Sequence, residues 1–343
     1  MINRRGFSKV VGLGTSATAL SLTGLQGPQP ASAAPRRGTS SVSSFPPPKQ
    51  IRAGLLDVGY AELGPAHGPA VICLHGWPYD IHSYVDVAPL LAERGYRVIV
   101  PYLRGHGTTR FLSDRTFRNA QQSAIALDVI ALMDALKIER AVLAGFDWGS
   151  RTADIIAALW PERCKALVSV SGYLITDREA QLSPIAPQAE HTWWYQYYFA
   201  TERGRTAMET PDLRHDLTRF VWDTVSPTWD FDDATFERTA QAFENPDYAA
   251  VVVHNYRWRL SLADGERRYD TYERRLAQRP TIAVPTITLD PERDPFTAPG
   301  NGSTYRDRFT GAYEHRTLTG IGHNLPQEAP ADFAQAVVDV DRM

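Results

Sequence analysis

The stretch Gly145-Phe146-Asp147-Trp148-Gly149 closes an apolar run that begins Ala141-Val142-Leu143-Ala144. It leads straight into Ser150–Leu159, whose apolar spacing is helical. So short and uninterrupted an apolar run predicts a strand buried on both faces. Glycines on both flanks permit a sharp strand-to-helix turn that lifts the middle residue, Asp147, above the sheet. A carboxylate in that position is a weak nucleophile, best suited to displacement at a saturated carbon that carries an activated leaving group. The intermediate is then an ester of Asp147 itself, which water must cleave at the aspartyl carbonyl.

On either side of this turn the same alternation continues. Ala70–Leu74 and Arg97–Val100 predict buried strands, with the amphipathic Val85–Arg94 between them. Ile51–Leu63 reads as extended, and Ala124–Leu136 carries apolar residues at helical spacing. Ala166–Val170, Thr286–Leu289 and His315–Leu318 predict further strands, and Ala331–Asp341 a closing helix. Strands alternating with helices imply an α/β fold, a mostly parallel sheet flanked by helices. Residues 177–278 break the pattern. They lack buried-strand runs and hold Trp193, Trp194, Trp222, Trp229 and Trp258, five of the eight tryptophans. Core-type strands resume after them, so they read as an inserted helical cap over the carboxyl edge of the sheet. The core is then 51–176 and 279–343.

The chemistry falls at strand ends. The Asp147 turn has the form of a nucleophile elbow with Asp in place of Ser, and Ser150 lies outside its central position, against an esterase. His75-Gly76-Trp77-Pro78 follows an earlier strand, where a loop supplies one backbone N–H of an oxyanion hole. Trp77 and Trp148 are the expected donors, because Pro78 has no N–H. His75 reads as structural. His323, beyond the last strand, arrives where a general base is due in the chain order nucleophile, acid, histidine. The acid lies within Asp290-Pro291-Glu292-Arg293-Asp294; Asp294 is the choice and Asp290 the alternative.

These motifs, with Leu103-Arg104-Gly105-His106-Gly107, resemble the α/β-hydrolase fold, and within it the epoxide hydrolase branch, neighbour to the haloalkane and haloacetate dehalogenases. The likeness covers roughly residues 52–343. It implies two cap tyrosines that hydrogen-bond the epoxide oxygen. Trp193-Trp194-Tyr195-Gln196-Tyr197-Tyr198-Phe199 is similar to the first tyrosine segment and assigns that role to Tyr195. His254-Asn255-Tyr256-Arg257 is similar to the second, one residue different, and assigns it to Tyr256. Trp194, Tyr198 and Trp77 are expected to line an apolar pocket. The implied reaction opens an apolar epoxide to a vicinal diol through an Asp147 ester, which water activated by His323 hydrolyses. No cofactor or metal is called for. Haloacetate dehalogenases carry Arg directly after the nucleophile, where this chain has Trp148. A haloalkane dehalogenase with the same Asp and His is the alternative, as is a ligand-binding accessory protein that has kept the fold and lost turnover.

Lys and Arg number 36 against 39 Asp and Glu. A chain so balanced, without a basic block, has no electrostatic means of holding a phosphate backbone, so nucleic acid is not an expected partner. Cys73 and Cys164 are the only cysteines, which excludes a disulfide framework; they read as buried thiols, with one disulfide left open for an exported protein. Residues 4–9, Arg-Arg-Gly-Phe-Ser-Lys, precede a weakly apolar stretch and the small residues Ala31-Ser32-Ala33. They resemble a twin-arginine signal peptide over residues 1–33, implying a transient partnership with export machinery and work outside a bacterial cytoplasm. The stretch is too short and polar for stable membrane insertion. Residues 34–50 read as a flexible leader.

Overall fold

The computed structural model describes residues 44–296 and 300–343. The signal expected in 1–33, its cleavage site and most of the leader lie outside the described residues. The leader's end is corrected: Lys49 and Gln50 belong to the first strand, opposite Tyr60 and Gly59. The Lys49 ammonium reaches Glu62 Oε2 of the second strand at 2.7 Å, and Phe45 packs its ring on His82 in the turn after the third.

Nine strands form one sheet: β1 (Lys49–Ala53), β2 (Leu56–Leu63), β3 (Ala70–Leu74), β4 (Arg97–Pro101), β5 (Arg110–Phe111), β6 (Ala141–Gly145), β7 (Cys164–Val170), β8 (Thr286–Pro291) and β9 (Tyr313–Leu318). Their spatial order is β1-β2-β4-β3-β6-β7-β8-β9, with the two-residue β5 paired to β2. β1, β2 and β4 pair antiparallel; from β4 through β9 every pairing is parallel. The parallel arrangement explains the composition of the central strands. Val71, Ile72, Leu143, Leu167, Val168, Ile287 and Leu289 are at most 1% exposed, as helices on both faces require. Cys73 in β3 and Cys164 in β7 are buried, unpaired thiols, separated by β6.

Core helices are α1 (Val87–Ala92), α2 (Gln122–Ala135) and α3 (Trp148–Leu159). Between β7 and β8 lie seven more: α4 (Pro187–Thr192), α5 (Trp194–Ala200), α6 (Glu202–Glu209), α7 (Pro211–Val225), α8 (Asp233–Ala240), α9 (Tyr248–Arg259) and α10 (Asp270–Ala277). The chain ends with α11 (Leu325–Glu328) and α12 (Pro330–Val340). Among the described residues no helix is long and apolar enough to cross a membrane.

Specific polar bonds fasten α7, α8 and α9 to loops at the sheet's carboxyl end. Trp222 Nε1 of α7 donates to Pro78 O at 2.7 Å, and Thr239 Oγ1 of α8 donates to Asp80 Oδ1 at 3.0 Å. On α9, Asn255 Nδ2 donates to Ala120 O and His254 Nδ1 accepts from Ala120 N. His254 Nε2 must then carry the proton it gives to Asp264 O, which fixes a neutral ring, and burial pushes its pKa down. These bonds determine where Tyr256 and the end of α9 stand relative to the core.

Candidate active site

The turn at Asp147 depends on close backbone approach. A Cβ on Gly149 would lie 1.8 Å from Leu74 O, and one on Gly145 would lie 2.4 Å from the Gly149 carbonyl carbon. Only glycine fits at either place, so β6 passes into α3 with just Phe146 and Asp147 between them. Asp147 takes φ 52° and ψ −122°, a strained conformation for a residue with a side chain. Ser150 stays in the scaffold: its hydroxyl donates to Gly145 O at 2.6 Å and accepts from Val170 N at 2.9 Å.

Four strand ends deliver the remaining groups. After β3, the Trp77 N–H donates to Asp147 Oδ1 at 2.8 Å. Trp148 is the first residue of α3, so its N–H has no partner within the helix. After β8, Asp294 Oδ2 lies 2.8 Å from His323 Nδ1, while its Oδ1 accepts from Phe296 N. After β9, His323 turns its Nε2 toward Asp147 Oδ2 at 3.7 Å, an attraction between charges rather than a hydrogen bond. Asp290, the alternative acid, belongs elsewhere. Its Oδ1 accepts from Tyr305, and Oδ2 lies 3.8 Å from His315. His75 is held by the scaffold, with Leu103 N donating to its Nε2.

Electrostatics follow from this placement. Burial works against a charged imidazole, but Asp294 and Asp147 outweigh it and lift the His323 pKa to about 10. For Asp147, burial acts upward; the His323 imidazolium, the Arg151 guanidinium and the Trp77 N–H prevail and hold it below the ordinary carboxylate value. At neutral pH the site therefore rests as an ion pair.

The cap tyrosines stand close together. Tyr195 and Tyr256 have ring centroids 5.2 Å apart at 84°, and each packs on Trp77, at 5.1 and 5.3 Å. Burial raises both phenol pKa values, so both remain protonated donors. A cavity of about 80 Å³ opens against Asp147, Tyr195, His323 and Phe296. Tyr256 lies behind Tyr195 rather than in the cavity wall. Trp77, Trp194 and Tyr198, expected to line the pocket, do not line it. Trp193 does, because the chain bends there between α4 and α5 instead of continuing as one helix. Trp194 faces Tyr198 and Phe220.

The matching family model, described as the alpha/beta hydrolase fold, covers residues 69–320. The chain is an α/β-hydrolase. This hydrolase is 30% identical to epoxide hydrolase B of Mycobacterium tuberculosis over 172 residues, 46% of this chain and 47% of that protein, so the shared stretch is about half of each. It is 30% identical to a haloalkane dehalogenase of Mycobacterium marinum over 294 residues, 82% of this chain and 88% of that one. A crystal structure of a candidate epoxide hydrolase from Klebsiella pneumoniae shares 57% identity and a TM-score of 0.85, covering 88% of this chain and all of that one. The mostly parallel sheet expected from strand and helix alternation, and the α/β-hydrolase fold implied by the motif resemblance, are the ones found.

Sequence reasoning passed over several residues of this hydrolase's site. Ser226, closing α7, accepts from His323 N at 3.1 Å and donates to Glu328, whose other oxygen accepts from Gly322 N at 2.7 Å. Together they fix the loop that aims His323. More unexpected are Arg151 and Arg259, both in the cavity wall and both 7% exposed. Their only sequence signal is weak: Arg151 lies one helical turn after Asp147, and Arg259 three residues after Tyr256.

Proposed function

We propose that this hydrolase opens a small epoxide to a vicinal diol through a covalent ester of Asp147. The observation that supports it most is a carboxylate at a strained strand end, with an Asp-paired histidine and the buried Tyr195 phenol in the wall of the same cavity and Tyr256 packed on Tyr195. In the first step an Asp147 oxygen bonds to an epoxide carbon, the ring C–O bond breaks, and the departing oxygen accepts a hydrogen bond and then a proton from the tyrosine pair. Esterification removes one of the two negative charges flanking His323. The imidazolium becomes a stronger acid and returns a proton to the phenols, leaving His323 neutral. In the second step that neutral imidazole takes a proton from water, and hydroxide attacks the aspartyl carbonyl. The oxyanion is met by the Trp77 and Trp148 N–H groups. Collapse releases the diol and restores both the Asp147 carboxylate and the imidazolium.

Haloalkane dehalogenation is the second reading. It is favoured by the Trp148 indole N–H, buried next in sequence to the nucleophile and close to the Tyr256 hydroxyl, a type of donor that suits a departing halide. The phenols favour the epoxide, because an alkoxide needs a proton and a halide does not. Assaying 1,2-epoxybutane and 1-bromobutane separately, for diol and for bromide, decides between them. Diol formation is expected; bromide release alone would overturn the reading.

A further inference from the structure

Arg151 and Arg259 line the cavity with two positive charges that take no part in the bond-making or proton-transfer steps, although Arg151 also helps to keep Asp147 ionised. Arg151 Nε donates to Leu174 O at 3.1 Å. Arg259 has a buried Nε without a partner, one long contact from Nη2 to Gln181 Oε1 at 3.5 Å, and rests over the rings of Trp193 and Tyr256 at 5.4 and 5.7 Å. Among the described residues neither guanidinium has a carboxylate within 4.0 Å, and residues 1–43 and 297–299 contain no Asp or Glu. Asp154, one turn beyond Arg151, instead accepts from Leu174 N at 2.7 Å, and burial raises its pKa to about 7. Buried guanidinium groups left unpaired are costly, and a planar donor fork is the usual recogniser of a carboxylate.

The charges around the cavity leave room for one anion. Asp147 and Asp294 are negative; His323, Arg151 and Arg259 are positive, an excess of one positive charge. Burial and the neighbouring Arg259 together lower the Arg151 pKa to about 10, so the two guanidiniums feel each other. A ligand anion between them would relieve that repulsion. The cavity, about 80 Å³, is far below the roughly 300–1,000 Å³ of pockets for drug-sized ligands, which favours a small occupant.

Resting on the epoxide reading above, we propose that the substrate is a short-chain epoxy carboxylate, its carboxylate held by Arg151 and Arg259 while Asp147 attacks the ring. The carboxylate takes no part in bond making. One C–O ring bond breaks, one Asp147 ester forms, water cleaves it, and the product is a dihydroxy acid. The apolar substrate expected from the aromatic cap gives way to a small anion.

The test compares trans-2,3-epoxybutanoate with its amide, which keeps size and ring and loses the charge. Wild-type protein is expected to favour the acid in kcat/KM by at least about tenfold. Arg259→Gln is expected to reduce that ratio by about tenfold, and Arg259→Lys to retain most of it. A wild-type protein indifferent to the charge, or an Arg259→Gln that depresses acid and amide alike, would overturn the proposal; Arg259 would then act only through the tyrosines. Butanoate and butanamide, which cannot react, give the same comparison by calorimetry, and a failure of millimolar butanoate to bind also overturns it. Two further outcomes separate this claim from the one beneath it. Diol from the amide but not from the acid sinks the anion site alone. Chloride from 2-chloropropanoate, lost in Arg259→Gln, with no diol from either epoxide, keeps the anion site and sinks the epoxide reading.

Discussion

At Asp147 the backbone conformation, the Trp77 N–H and the His323 imidazolium act on one carboxylate together. Together they keep its oxygens ionised within a locally strained turn. In the proposed cycle His323 acts as base in the second half, so removing that function should leave the first half running. His323→Gln is therefore expected to accumulate an alkylated protein, heavier by the mass of the epoxide on the peptide containing Asp147. An unmodified protein after prolonged incubation would count against the ester. Asp147 and His323 could be located from sequence because each lies in the turn or loop after a strand, where local pattern and chain order coincide. Arg151 and Arg259 could not be so placed. One reads as an ordinary helix residue and the other as a cation suited to the C-terminus of a helix; only packing brings them to one cavity from 108 positions apart.

Elements set the precision of these residues. The β6–α3 junction tolerates no side chain at Gly149, where a Cβ would lie 1.8 Å from Leu74 O. Gly149→Ala is expected to destabilise the fold by at least about 3 kcal/mol, read from denaturant unfolding, or to prevent recovery of soluble protein. A near-neutral effect would show that the turn is looser than described. On the cap side, α5 supplies Tyr195 to the cavity while α9 is pinned through Asn255 and His254. Tyr195→Phe is expected to lower kcat/KM for epoxides by about a hundredfold with thermal stability little changed. An unchanged rate would remove that phenol from the reaction. The expectation that Trp194 faces the pocket fails for a reason of element boundaries. A continuous helical pattern through 193–199 hides the bend at Trp193, and a one-residue shift rotates a different indole inward. The two-residue β5 was equally hidden, being too short to carry a period.

For the molecule as a whole, the sheet order brings the ends of β3, β6, β8 and β9 to one edge, and the helices between β7 and β8 enclose it. Apolar runs and their alternation with helices were legible because a parallel sheet buried on both faces must be built from them. The cap's contacts were less so, since they rest on single hydrogen bonds between residues distant in sequence. Placing an ion pair in a buried site links stability to pH. The folded His323 pKa, about 10, exceeds its ordinary 6.5, so the imidazolium's contribution is complete below pH 6.5 and is lost as pH rises through 10. The difference in unfolding free energy between wild type and His323→Gln is thus expected to shrink from pH 6.5 to 10 in denaturant melts. A constant difference would mean that the imidazole is not charged in the folded state.

The covalent account is tested most directly by one turnover in water enriched with oxygen-18, with enzyme in excess over epoxide. In the proposed mechanism water attacks the aspartyl carbonyl, so the heavy oxygen should enter the Asp147 carboxylate, and the first diol released should carry none. Label in that first diol, with Asp147 unlabelled, would mean that water attacks the epoxide itself and would contradict the mechanism.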